Sequence, residues 1–147
     1  LFILVKTSNA SASEIQDLQV DGSPLYMHLA RKTAEWGDGL RGGSGYSSVG
    51  AVVGATHPED ARRIREALPK AFFLVPGFGA QGAGAAEIKS CFNPDGLGAV
   101  VNASRSVIFA YEREPYKEKY GTKNWPRAVE EAVITMKDEI NAVAVGK

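Results

Sequence analysis

The sequence predicts an α/β chain: the C-terminal half of a (β/α)8 TIM barrel, built from four βα units and a C-terminal helix. Three observations lead there. Apolar runs at 2–5, 49–54, 72–75 and 99–102 are near-continuous rather than alternating, as in strands buried on both faces of a parallel sheet. Segments with helical periodicity or turn composition separate them, which is the βα pattern. Each run ends in polar or glycine-rich residues, and parallel barrels bind ligands at those carboxyl ends. A whole barrel takes eight units and typically ~250 residues, so four units in 147 residues predict half of one. The domain expectation is a half-barrel over 1–147 that carries phosphate-binding loops, with the N-terminal half absent from this sequence and expected either ahead of Leu1 in a longer protein or from another chain.

Composition narrows the class. The chain is 44% hydrophobic and 23% charged, as in globular proteins with a real core. Its 17 Lys and Arg balance 17 Asp and Glu, which gives no reason to expect a nucleic-acid or membrane partner and makes any anion site a local one. No stretch reads as a membrane span or a secretory signal, so a cytoplasmic location is the default expectation. Cys91, the only cysteine, cannot form an intramolecular disulfide and reads as a packed thiol. The chain opens on Leu-Phe-Ile-Leu-Val, already inside a core-strand pattern, so a piece of a longer protein is expected.

The elements follow in order. The first strand, 2–5, stops at Lys6-Thr7-Ser8-Asn9, polar residues that either meet a ligand or only turn the chain; Lys6 is expected at the surface. Residues 11–22 are polar, a loop or a short helical turn. From Pro24 a helix carries Leu25, Leu29, Thr33 and Trp36 as its core stripe and stops at Gly37, with His28 off the stripe and exposed. The glycine-rich 37–45, with Arg41, is either a ligand-covering loop or a plain link.

After the second strand, Thr56-His57-Pro58-Glu59 predicts a capping box at the start of a helix whose Ala61, Ile64 and Leu68 face the sheet until Pro69, with His57 as a helix-start residue. The third strand leads into a short helix ending near residue 92, and Asn93-Pro94-Asp95-Gly96 is a turn. The fourth strand delivers Asn102, Ser104 and Arg105 at its carboxyl end. Residues 107–111 close the last unit and 112–124 are charged and rich in turn formers. The final helix begins at Trp125 or Pro126, with Val129, Ala132, Val133, Met136 and Ile140 on one face.

The third strand and its turn, Phe-Phe-Leu-Val-Pro-Gly-Phe-Gly-Ala-Gln-Gly-Ala-Gly at 72–84, hold the main functional signal. Glycines at 77, 79, 82 and 84 leave backbone amides uncovered around one polar side chain, Gln81, and such a turn before a helix suits an anion. Taken alone, the glycines are equally compatible with a tight connection. They are not a Walker loop, since no Gly-Lys-Ser/Thr follows, and they lack dinucleotide spacing. Arg105 in the next unit adds a planar cation suited to phosphate. Phosphate-binding barrels hold phosphate at the loops after strands seven and eight, the places these two units would occupy.

Four motifs then stand in order: Leu-Val-Lys-Thr-Ser-Asn at 4–9, Val-Gly-Ala-Val-Val-Gly-Ala-Thr at 49–56, Leu-Val-Pro-Gly-Phe-Gly-Ala-Gln-Gly at 74–82 and Val-Asn-Ala-Ser-Arg at 101–105. Together they resemble the second half of the orotidine 5′-phosphate decarboxylase family, in its longer bacterial subfamily. The resemblance implies a lyase of UMP and pyrimidine biosynthesis that converts orotidine 5′-phosphate to UMP without metal or organic cofactor, as a homodimer. It further implies that Ser8 hydrogen-bonds the pyrimidine and that Gln81 bridges base and phosphate. Arg105 would clamp the phosphate, amides near Gly82 and Ser104 would complete the cradle, and Pro76 would line the pocket near the leaving carboxylate.

The departure from the family is as informative. Its catalytic aspartate–lysine array belongs to the first half of the barrel, and no Asp-x-Lys-x-x-Asp occurs here. No catalytic residue is therefore expected in this chain, which alone should be inactive. Ala10-Ser11 also stands where the family usually has proline and glycine. Two alternatives remain open from sequence: another phosphate-binding barrel enzyme acting on a sugar phosphate, and a non-catalytic phosphate-binding half-barrel.

Overall fold

The computed structural model describes residues 1–79 and 83–144. The strands are β1 (Phe2–Lys6), β2 (Gln19–Val20), β3 (Ser23–Pro24), β4 (Ser47–Val53), β5 (Ala71–Val75) and β6 (Ala99–Val101). The helices are α1 (Ala12–Gln16), α2 (Leu25–Gly37), α3 (Pro58–Ala67), α4 (Ala85–Ile88), α5 (Arg105–Ile108), α6 (Tyr116–Tyr120) and α7 (Trp125–Ala144). The four strands expected from the apolar runs form one sheet in the order β1-β4-β5-β6, every pair parallel. Connections through α2, α3 and α4 return the chain to the same end each time, so the sheet is an arc of a parallel barrel. Among the strands only β2 and β3 were unforeseen; they make a small antiparallel hairpin within the polar segment.

Register sorts the side chains into two faces. Ile3, Ala51, Phe73 and Ala99 lie across from one another, and this face, with Val5, Val53 and Val75, packs against Tyr26 and Ala30 of α2 and Ala61 and Ile64 of α3. The other face carries the row Leu4, Val52, Leu74 and Val100. It remains open, with Leu4 57% and Val100 52% exposed. That is why these runs do not alternate: both faces are apolar, but within this chain only the helix-covered one is filled. Gly50 belongs to the open face, where a Cβ would stand 2.8 Å from the Phe2 ring and 2.5 Å from the Phe72 carbonyl oxygen.

Four local expectations need correction. The buried stripe of α2 is Tyr26, Ala30, Thr33 and Gly37, one step round from the expected one; Trp36 is 52% exposed. His28 is half-buried rather than exposed, its ring 2.8 Å from the Val20 carbonyl oxygen of the hairpin. No side-chain cap forms at His57, so the capping box is not made, although α3 does begin at Pro58 and bury Ala61 and Ile64. Along α7 the buried positions are Ala128 and Ala132, with Met136 and Ile140 against the core, while Val133 faces outward.

The fifth correction is the largest. Lys6, expected at the surface, is completely buried. Leu4 pairs with Val52 but Lys6 with Val53, so β1 has a bulge that turns both Val5 and Lys6 away from solvent. Its ammonium meets Asp17 and lies 3.3 Å from Asp60 of α3, 4.8 Å from the centre of the Tyr26 ring. Tyr26 donates to Asp60 at 2.8 Å and accepts from Arg63 at 2.8 Å. Burial first, then the bond to Asp60, pushes the Tyr26 phenol up to about 12. The charges are paired and hydrogen-bonded, the condition under which burial is tolerable.

A second buried cation ties the other end of the sheet. Arg65 of α3 donates to the carbonyl oxygens of Leu68 (2.8 Å), Ala71 (2.9 Å), Cys91 (2.8 and 3.1 Å) and Gly98 (2.8 Å) and lies 3.5 Å over the Phe73 ring. It therefore joins α3 to the starts of β5 and β6. Burial lowers its pKa to about 10, which leaves it charged at neutral pH.

Candidate functional site

The four strands end side by side, which brings their following loops together. After β1 come Thr7, Ser8 and Asn9; after β4, Gly54 to His57; after β5, Pro76 and the glycine turn; after β6, Asn102 to Arg105. The loops are stitched at their bases. Gly54 N–H donates to the Lys6 carbonyl at 2.8 Å, Ala55 N–H to that of Pro76 at 2.9 Å, and Asn102 N–H to that of Val75 at 3.2 Å.

Ser8 is half-buried and fixed from several directions. The Thr56 hydroxyl donates to its carbonyl at 3.1 Å, and Gly54 backs it so closely that a Cβ there would stand 2.7 Å from the Ser8 nitrogen. Gly54 is thus glycine because the end of β1 crosses it. Behind Ser8, the Gln16 side chain accepts from the Thr7 N–H at 3.0 Å and donates to the Thr7 hydroxyl at 3.1 Å. Ser8, Asn9, Ala10, Thr56 and His57 line an open depression at this end of the sheet. His57, read from sequence only as a helix-start residue, borders it with a buried Nε2 that has no hydrogen-bond partner among the described residues.

The glycine turn keeps its described ends close: Gly79 N–H donates to the Ala83 carbonyl at 2.8 Å. Gly77 (φ +102°) and Gly79 (φ +73°) occupy the left-handed region that favours glycine. The next unit sits directly against this turn, because a Cβ on Gly79 would approach the Ser106 Oγ to 3.0 Å. Arg105, beside Ser106 at the start of α5, is exposed and forms no ion pair with a described residue. Ser104 is exposed and Pro76 half-buried. Gln81 and Gly82 lie outside the described residues. Of the six residues singled out in sequence, Ser8, Pro76 and Ser104 stand on loops and Arg105 opens α5, all at one end of the sheet.

Sequence reasoning missed Gln16, Asp17 and Asp60, which hold the first of these loops. No local signal marks them, since their partners Thr7 and Lys6 lie about ten residues or more away and meet them only after a bulge has turned the chain. Among the described residues no group of three or more His, Cys, Asp or Glu side chains is placed to hold a metal ion. No described helix is long and apolar enough to cross a membrane.

A parallel sheet with helices on one face and loops collected at its strand carboxyl ends defines part of a TIM barrel. Comparison with known proteins gives the particular kind, although no family model matches the chain. It is 43% identical over 140 residues to an orotidine 5′-phosphate decarboxylase of Rhodopirellula baltica, covering 95% of this chain and 46% of the relative. With the Caldicellulosiruptor bescii orotidine 5′-phosphate decarboxylase it is 45% identical over 142 residues, 97% of this chain and 45% of the relative. Among solved structures, Leishmania donovani OMP decarboxylase superposes with a TM-score of 0.69 at 30% identity, covering 97% of this chain and 47% of that one. The similarity to orotidine 5′-phosphate decarboxylases expected from the four motifs therefore holds along nearly the whole chain. The chain spans about half the length of the curated relatives it matches, consistent with a C-terminal half.

Proposed function

We propose that the complete protein containing this chain converts orotidine 5′-phosphate to UMP and carbon dioxide, and that these 147 residues supply the grip on base and phosphate. The observation that carries the reading is the likeness of the chain, at 43% identity over 95% of its length, to proteins named for that activity. Gathering of the Ser8, Pro76 and Arg105 loops at one end of the sheet is consistent with it.

In this reading Ser8 hydrogen-bonds the pyrimidine ring and Arg105 clamps the phosphate through charge-assisted bonds. Gln81 bridges the two, amides near Gly82 and Ser104 complete the phosphate cradle, and Pro76 borders the carboxylate that leaves. The phosphate is remote from the breaking C6–carboxylate bond, so its binding energy serves the reaction by closing and ordering the site. The carbanionic C6 left by loss of carbon dioxide needs a proton. Lys6, which stands at a strand carboxyl end, is turned to the helix side and paired with Asp17 and Asp60, so it is no candidate donor. The donor belongs to the aspartate–lysine array of the first half. As in the family resemblance, the complete protein works in the cytoplasm as a homodimer, without metal or organic cofactor.

The test is to express the complete reading frame containing these residues beside the 147-residue chain and to follow loss of orotate absorbance. The complete protein should turn over orotidine 5′-phosphate and the rigorously purified chain should not. Absence of an aspartate–lysine array upstream, or turnover by the chain alone, overturns the division of labour.

A further inference from the structure

We infer that Gln16 is a positioning residue for substrate: through Thr7 it holds Ser8 in the place where it meets the pyrimidine. The inference rests on the proposed role of Ser8 and goes beyond it.

Ser8 lies two residues past the end of β1, beyond the last strand pair, Lys6 with Val53, so strand pairing does not hold it. A clasp of side chains does. Consecutive residues at the end of α1, Gln16 and Asp17, grip the consecutive residues Thr7 and Lys6. The amide of Gln16 takes two polar groups of Thr7, accepting from its N–H at 3.0 Å and donating to its hydroxyl at 3.1 Å. That pair fixes the backbone and the χ1 of the residue directly before Ser8. On its far side, Ser8 is held by Thr56 at its carbonyl and packed against Gly54. Removing the Gln16 amide therefore releases one anchor of the Ser8 backbone and leaves the other.

A hydrogen bond to substrate depends on placement within a fraction of an ångström, and small displacements of such groups cost up to ~100-fold in rate. Gln16→Leu removes both bonds at similar volume. Gln16→Glu retains both, because a carboxylate accepts from the Thr7 N–H and the Thr7 hydroxyl can turn to donate to it.

The experiment is a double-mutant cycle in the complete protein, read as kcat/KM for orotidine 5′-phosphate and as affinity for UMP. Gln16→Leu should lower kcat/KM roughly ten- to a hundredfold, Gln16→Glu should stay within about threefold of the parent, and Gln16→Leu combined with Ser8→Ala should be no worse than Ser8→Ala alone. Should Gln16→Leu not fold, Thr7→Val, which deletes one bond of the pair, takes its place in the cycle. Parent-like kinetics for Gln16→Leu, a Gln16→Glu loss as deep as that of Gln16→Leu, or full additivity with Ser8→Ala each overturn the inference while leaving Ser8 as a contact. If Ser8→Ala itself changes neither quantity, the reading of Ser8 fails first, and the positioning role falls with it.

Discussion

The ammonium of Lys6 lies 3.3 Å from the carboxylate of Asp60, with the lysine wholly buried between β1 and the helices. A lysine at the mouth of a barrel strand invites a catalytic reading; here the bulge in β1 points it the other way. Its work is to tie β1 to α3 and, through Asp17, to the end of α1.

Lys6→Met should therefore destabilise the fold. Removing one partner from a fully buried ion pair costs ~3–5 kcal/mol, but Asp17 and Asp60 both retain solvent contact, so the loss should be about 1–3 kcal/mol. Urea unfolding at neutral pH measures it, and an unchanged midpoint would mean that the pair contributes nothing.

Arg65→Met should cost more. The methionine fills the space over Phe73 but leaves the Cys91 and Ala71 carbonyls without their guanidinium donor, whereas Leu68 and Gly98 keep backbone donors from Ala71 and Phe73. Each orphaned buried acceptor costs ~1–3 kcal/mol, so about 3–5 kcal/mol is expected in the same unfolding measurement. A cost below about 1 kcal/mol would show that water replaces the guanidinium.

Alkaline pH should destabilise the chain through Cys91. Burial pushes this thiol from its ordinary 9.0 up to about 12, with Arg65 opposing part of the rise. Below pH 9 the thiol is protonated in both states and its contribution to stability is complete. Between about 9 and 12 the unfolded chain loses the proton while the folded chain keeps it, so stability falls, by at most ~1.4 kcal/mol per pH unit. Tyr26 adds a loss of the same sign above its ordinary 10.0. Above pH 10 Arg65, lowered to about 10, opposes the Tyr26 loss, so the interval from 9 to 10 isolates the thiol: in Cys91→Ala the decline there should disappear, and a parent-like profile would show that the thiol contributes nothing.

The fold was readable because four apolar runs, each stopped by polar or glycine residues, leave little choice but a parallel sheet. The placement of the candidate residues was readable for the same reason: Ser8, Pro76 and Arg105 each come within three residues of the end of a run. What was not readable came from geometry that periodicity does not encode. The bulge between Leu4 and Lys6 reversed the side of one lysine, and the stripe of α2 turned by one residue because Tyr26 packs inward to reach Asp60. Gln16 was invisible because its partner, Thr7, is nine residues back across a turn.

The central claim is that this chain holds the nucleotide by its phosphate and base. Calorimetric titration of UMP into the complete protein and its Arg105→Ala variant tests that most directly. Binding should weaken by roughly 1.5–3 kcal/mol, the scale of hydrogen bonds to a charged group. Unchanged affinity would contradict it.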